Sequence, residues 1–375
     1  MQFKKKIMKE RLSSEMKSRL RLRMKKRKMA RTMTIYNKYI LNTIVSLKRN
    51  IKGYKYPDML MWSKLNEILN MVLEALKNTS YSFMLYEVSN MDKEKFEYFL
   101  AKGFMDESVK ENITRTKLLL DEDKSIAIVI NNNDHIEIRV LGTASADELV
   151  DIAIDIEREL DKSIDFQFDE DYGYLTSDPV NIGNGINIAK IVHLYRRDEF
   201  KKDELKSDDM EKIRLTPLIG PDGSKIEDIY ILDANINKFT SIESFKKLSM
   251  LTDQNIIVYE NENRRRYLEQ NYILMKDRIM KALEMIKVAS LITYDEALIY
   301  LSNLMFARSM DLLDPVEASI DAGLYLMITP EAIEYTYSIS DKSEIDQKRA
   351  TILREKLGKI KFIDKDIKEE ENKEL

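Results

Sequence analysis

Apolar residues recur at three- and four-residue steps through Leu60, Leu65, Ile68, Leu69, Val72 and Leu76. This single stripe predicts an amphipathic helix opened by Pro57 and running to about residue 78. The pattern then predicts a strand over 81–88 and a short amphipathic helix over 92–102. Two alternating, β-rich runs, 125–131 and 135–141, flank Asn132, Asn133 and Asp134, a turn-prone trio that suits a hairpin. A strongly periodic helix is expected over 144–162. Gly173, Gly183 and Gly185 punctuate the next stretch, followed by a short helix carrying His193, strands near 213–219 and 229–236, and a helix near 242–251.

Hairpin-adjacent strands with interspersed helices predict an α+β fold around a largely antiparallel sheet flanked by helices. Beyond residue 255 the character changes. Only Gly323 and Gly358 interrupt the chain up to residue 359, and helical periodicity covers 267–288, 294–310, 330–337 and 343–357. The expected organisation is a basic extension at 1–33, a β-rich domain at 34–255 and an all-helical domain with an acidic tail at 256–375.

Composition narrows the chemistry. The 375 residues include no cysteine, which excludes disulfide scaffolds, thiolate zinc sites and thiol catalysis, and only two histidines, which disfavours a histidine metal site. No apolar run is long enough to span a bilayer, and the basic start has no apolar segment behind it, so a cytoplasmic protein without a membrane association is expected. Net charge is −4, from 61 Lys+Arg against 65 Asp+Glu, but residues 1–32 alone hold 14 basic and two acidic residues, a net of +12. Such an arm could bind nucleic acid through residues 4–31. However, no aromatic lies between Phe3 and Tyr36 to stack on a base.

One segment carries more information. Residues 168–185, from Phe168-Asp169-Glu170 through Gly173-Tyr174-Leu175-Thr176-Ser177-Asp178-Pro179 to Gly183-Asn184-Gly185, resemble the active-site segment of the ATP:guanidino phosphotransferases, or phosphagen kinases. The bacterial protein-arginine kinases are the nearest version. Asn131-Asn132-Asn133-Asp134-His135-Ile136 and Arg49-Asn50-Ile51-Lys52-Gly53-Tyr54 resemble two further landmarks, and Asp346-Gln347-Lys348-Arg349-Ala350 resembles the end of that branch's phosphoarginine-recognition motif. These landmarks come in family order. The resemblance implies a guanidino-kinase-like domain at 34–255 that would move the γ-phosphate of ATP, with magnesium, onto a guanidinium nitrogen. Such chemistry needs arginines converging on phosphate oxygens and carboxylates orienting the guanidinium.

Carried over position by position, that set is missing. The family's phosphate arginines fall on Ile44, Ser46, Glu137, Asn187 and Thr216. Its paired glutamates fall on Asn132 and Asn133, and its cysteine on Asp178. Arg115 stands where a nucleotide-contacting histidine would be, and the mobile-loop carboxylate could come only from Asp222. Ser18-Arg19-Leu20-Arg21-Leu22 mimics one lost arginine segment but lies about 25 residues too early. Removing one preorganised transition-state donor typically costs ~10²–10³ in rate, so the expectation is a pseudokinase with no cofactor, acting as a binding or regulatory protein in stress-linked protein quality control. Its expected partners are proteins, including arginine-phosphorylated ones bound through Asp346 and Arg349, and a second copy or an active paralogue in a dimer. An active ATP- and magnesium-dependent arginine kinase with a rearranged site is the first alternative. A nucleic-acid-associated regulator is the second. For Asp134 and His135 the plain reading is turn and strand-end hydrogen bonding; for Asp346 and Arg349 it is an intrahelical ion pair.

Overall fold

The computed structural model describes residues 39–77, 79–143, 145–196, 213–219, 225–234, 239, 241–314 and 322–364. The basic extension, Asp222 with its loop, and the acidic tail lie outside these residues. Eight strands form one antiparallel sheet: β1 (Ile40–Arg49), β2 (Phe83–Glu87), β3 (Lys117–Asp121), β4 (Ile126–Ile130), β5 (Ile136–Gly142), β8 (Ile186–His193), β9 (Ile213–Ile219) and β10 (Lys225–Ala234). Their order is β2-β3-β4-β5-β1-β8-β10-β9, and a small hairpin, β6 (Phe168–Asp169) with β7 (Gly173–Tyr174), stands apart.

The first strand in sequence is thus the fifth in space, flanked by β5 and β8. Its alternate residues Val45 and Leu47 face a core closed by α1 (Trp62–Leu76) and α3 (Ala146–Asp161). On the other face a smaller core lies between β3, β4 and α2 (Lys93–Ala101), around Phe99, Phe104 and Met105. The expected helices at 57–78, 92–102 and 144–162 and the hairpin at 125–141 all form, within one to five residues at their ends.

The helical region comprises α4 (Ile242–Val288), α5 (Tyr294–Ser309), α6 (Ala322–Met327), α7 (Pro330–Tyr337) and α8 (Lys342–Leu357). Helices expected separately at 242–251 and 267–288 are one 47-residue element with a kink at Asn271. No break occurs at residue 255; α4 passes from the sheet's core, at Phe245 and Ile256, into the helical core, at Tyr267, Met275 and Ile279. Between them Glu260, Asn263 and Arg264 are buried polar residues, which is why the apolar stripe vanishes there.

His193 is a correction. It ends strand β8 rather than sitting on a short helix. Strands β1, β3 and β8 were not expected. In β8 the core-facing series Ile186, Ile188, Lys190, Val192 contains a lysine, and Lys190 Nζ is buried against Asp253 and the Ser249 hydroxyl of α4, 2.9 Å away. A buried ammonium is tolerated only when paired in this way. No helix among the described residues is long and apolar enough to cross a membrane.

Candidate functional site

Strand register decides what meets what. Ser46 of β1 lies opposite Arg139 of β5 on one side and Asn187 of β8 on the other; Lys48 lies opposite Glu137 and Ile44 opposite Leu141. Because successive side chains alternate faces, Ile44, Ser46, Lys48, Glu137, Arg139 and Asn187 all stand on the face away from α1 and α3. Four of the five positions assigned to phosphate arginines are therefore gathered on three adjacent strands. Thr216, opposite Ile231 on β10, is exposed two strands further out.

What occupies that surface is a lattice of alternating charge. Glu137 is 4% exposed, and its Oε1 accepts from Arg139 Nη1 at 2.6 Å. Arg139 Nε donates to the Gly103 carbonyl at 2.9 Å, and its Nη1 lies 3.6 Å from Asp106. Glu137, aided by Asp134 and Asp106, raises the Lys48 ammonium above its usual pKa despite burial. Burial pushes the Asp106 carboxyl up, but Arg139, Ser108 and Lys48 together bring it below the usual carboxylate value. Lys48 and Arg139 thus face Glu137, Asp106 and Asp134, two cations against three carboxylates.

The first position assigned to a phosphate arginine is closed by packing. Ile44 joins the core formed by Phe104 and Leu141, and a Cβ added at Gly103 would lie 2.8 Å from its Cδ1.

At the β4–β5 turn, Asn112 Nδ2 donates at 2.8 Å to the side-chain oxygens of both Asn132 and Asn133, and Asn132 Nδ2 donates to Ser108. Asn132 is buried and Asn133 exposed. Arg115 Nη2 reaches the Asn132 carbonyl at 3.3 Å, while its buried Nε has no partner, and burial lowers the guanidinium pKa. Asp134 Oδ1 accepts from Asn50 and from the Ser177 amide, at 2.6 and 2.7 Å; its Oδ2 has only Lys48, 4.0 Å away. His135 Nδ1 accepts from the Ile51 amide, which puts the ring proton on Nε2, facing the Lys55 carbonyl at 2.8 Å. Asp134 and His135 thus serve the turn hydrogen bonding read from the sequence.

The glycine turn is held by Arg49. Its Nε donates to Glu157, its Nη1 to the carbonyls of Lys48 and Asn184, and its plane lies 3.4 Å over the Tyr174 ring. Gly185 adopts φ +69°, and a Cβ there would stand 2.7 Å from the Lys48 carbonyl. Asp178 is exposed and caps the following turn, accepting from the Val180 amide at 3.0 Å. Asp222 cannot be placed, since it lies outside the described residues. Lys48, Asp106, Asn112 and Arg139 were not picked out from the sequence; an Arg two residues after Glu137 on one strand was the available signal.

The C-terminal pair behaves as a structural tie. Arg349 has no exposed surface, donates from Nε to the Ile328 carbonyl at 2.8 Å and from Nη1 to the Ile292 carbonyl at 3.0 Å, and pairs with Asp346. Of the two residues expected to hold a phosphorylated arginine, Arg349 thus has two of its guanidinium nitrogens on backbone carbonyls.

Does a magnesium–triphosphate fit the cleft? The residues present do not suit it, because a buried carboxylate, Glu137, stands at a position that the resemblance assigns to an arginine. Among the described residues no group of three His, Cys, Asp or Glu side chains could hold a metal ion.

Residues 64–215 match the family described as "ATP:guanido phosphotransferase, C-terminal catalytic domain", and residues 273–373 match "Protein-arginine kinase McsB C-terminal domain". The protein-arginine kinase of Staphylococcus aureus (strain USA300) is 26% identical over 334 residues, 84% of this chain and 93% of the relative. A lombricine kinase crystal structure superposes with a TM-score of 0.50 at 19% identity, over 62% of this chain and 68% of that one. The substrate-free duplicated taurocyamine kinase of Schistosoma mansoni gives 0.54 at 18%, over 70% of this chain and 39% of that one. With the sheet order, the glycine turn and both family matches in agreement, residues 64–215 carry an ATP:guanido phosphotransferase catalytic domain and residues 273–373 a protein-arginine kinase C-terminal domain.

Proposed function

We propose that this family member is a pseudokinase, a protein that keeps the protein-arginine-kinase scaffold but neither clamps ATP nor transfers its phosphate, and that acts in the cytoplasm as a binding or regulatory protein in stress-linked quality control. It would work as a dimer with itself or with an active paralogue. One observation carries the reading: Glu137 is buried on the face that a triphosphate would have to approach and is already neutralised by Arg139. A phosphate entering about 4 Å from an unneutralised carboxylate would be repelled by roughly 4 kcal/mol at an effective dielectric of about 20. Taking Arg139 away from Glu137 to meet the phosphate would strand that carboxylate in the interior, which typically costs several kcal/mol. Either route opposes nucleotide binding.

The test is a calorimetric titration of the full chain with magnesium–ATP, paired with a search for acid-labile phosphate on an arginine-rich protein. The proposal expects neither saturable binding nor phosphoarginine. A second reading, an active kinase with a rearranged site, draws on Arg115, whose Nε faces no partner near the β4–β5 turn. Micromolar binding and turnover, both lost in Arg115→Ala, would establish it and dismiss the first.

A further inference from the structure

Away from the cleft, a polar cavity of about 290 Å³ opens where the sheet meets the helical region. Tyr195, Arg196, Asp228, Arg278, Ser302 and Asn303 line it, together with the exposed side chain of Ile299. They come from the end of β8, from a register shift of β10 between Lys225 and Tyr230, and from α4 and α5. His193 at the end of β8 is six residues from Asn187, so the cavity lies roughly 20 Å along the strand from the surface that holds Glu137.

Asp228 is buried and held on both carboxylate oxygens. Its Oδ1 accepts from the Arg196 amide at 2.7 Å and its Oδ2 from the Ser302 hydroxyl at 2.6 Å. Behind Ser302, Arg264 donates to His193 Nδ1 at 2.9 Å, which leaves the ring proton on Nε2, 3.0 Å from the Ser302 oxygen. Arg196 and Asp228 both adopt left-handed backbone, with φ +47° and +60°. Strain of this kind concentrates at ligand clamps, and a bulged strand beside it serves to re-aim a side chain. From α4, Arg278 Nη1 donates to the Tyr195 hydroxyl at 3.5 Å, and that hydroxyl lies 3.3 Å from Asn303 Oδ1. Burial pushes the Tyr195 phenol up to about 12, so it keeps its proton near neutral pH.

Among the described lining residues, two guanidinium groups stand against one carboxylate. A planar fork matches the two oxygens of a carboxylate. A carboxylate oxygen accepts more than one hydrogen bond, so Asp228 can also take a ligand hydroxyl. A dianion would meet Asp228 with twice the repulsion of a monoanion at the same distance, which favours a single negative charge. The volume lies at the small end of ligand sites, too small for a nucleotide. We propose that this cavity binds a small 2-hydroxycarboxylic acid, with its carboxylate on Arg196 and Arg278, its hydroxyl on Asp228 and its carbon chain against Ile299. The inference goes beyond the pseudokinase reading and does not depend on it.

Lactate is the probe. In the full chain it should slow phenylglyoxal modification of Arg196 and Arg278 about threefold or more, read by peptide mass spectrometry, with half the effect near about 1 mM. Arg265 of α4, whose side chain is 70% exposed, should react at an unchanged rate. Propionate, which lacks the hydroxyl, should need roughly tenfold more, the usual consequence of losing a hydrogen bond to a charged group. Inorganic phosphate and alanine should each protect less than lactate at equal concentration. Asp228→Asn, which keeps a residue suited to positive φ, should let phosphate overtake lactate. Lactate no better than propionate, phosphate or alanine better than lactate in the unaltered chain, or equal protection of Arg265 would each overturn the proposal. These comparisons on the unaltered chain decide it whether or not the variant folds.

Discussion

Glu137 and Arg139, two residues apart on the same strand and on the same face, form a 2.6 Å ion pair that is almost wholly buried. The pair explains how a carboxylate can be buried at the centre of this surface without unfolding it. Arg139 takes the charge, Lys48 stands across the ladder, and Asp106 closes the far side. Each member is tolerated because its neighbours have the opposite sign.

Glu137→Gln removes the central carboxylate with little change of shape. Lys48 and Arg139 would then be buried with less compensation, and breaking a buried pair in this way typically costs about 3–5 kcal/mol. Urea unfolding should show a loss of that order. The variant should also bind inorganic phosphate more tightly than the parent by calorimetry, since the surface changes from net negative to net neutral. Unchanged stability would mean that the lattice contributes nothing.

Gly185→Ala tests the glycine turn. An L-residue at φ +69° is strained, and the new Cβ would meet the Lys48 carbonyl at 2.7 Å and Arg49 Nη1 at 2.6 Å. A loss of about 2 kcal/mol is expected, read as a lower urea midpoint. The turn cannot shift cheaply, because Gly173 packs against the Gly183 carbonyl on its other side.

Arg349→Lys should destabilise the helical region by about 2 kcal/mol or more, although charge is conserved. A lysine cannot reach two carbonyls and a carboxylate with a planar fork. Free phosphoarginine should leave the melting temperature of the parent chain unchanged, as expected of an arginine tied to Ile292 and Ile328.

Stability should fall as pH drops from 7 towards 5. Burial lowers the pKa of both histidines, His193 further with the help of Arg264. The unfolded chain then binds more protons than the native one between the lowered folded value and the ordinary value near 6.5, so stability rises with pH across that window. Each histidine contributes about 1.4 kcal/mol per pH unit there. Replacing His193 by Gln should flatten the dependence in denaturant titrations at pH 5, 6 and 7.

Much of the architecture was legible because it rests on regular periodicity. Leu65, Ile68, Val72 and Leu76 are buried as their spacing required, and the Asn132–Asp134 turn separates two strands that pair. Ile44, Ser46, Glu137 and Asn187, singled out by the resemblance one at a time, share one surface, and only strand register brings them together. What escaped was polar residues used as core. Lys190 disguised β8, and Glu260 and Arg264 disguised the middle of α4, because each is satisfied by a partner distant in sequence: Asp253, the Tyr195 amide and His193. The compensation of Glu137 was missed for a related reason. Position-by-position comparison considers each assigned position alone, so the cations standing beside those positions, Lys48 and Arg139, become apparent only once strand register is known.

The measurement that bears most directly on the account is the heat of magnesium–ATP binding to the full-length chain. No saturable heat is expected up to millimolar nucleotide, with binding appearing once Glu137 becomes Gln. A micromolar dissociation constant in the unaltered chain would contradict it, since the lattice around Glu137 would then have to open for a polyanion.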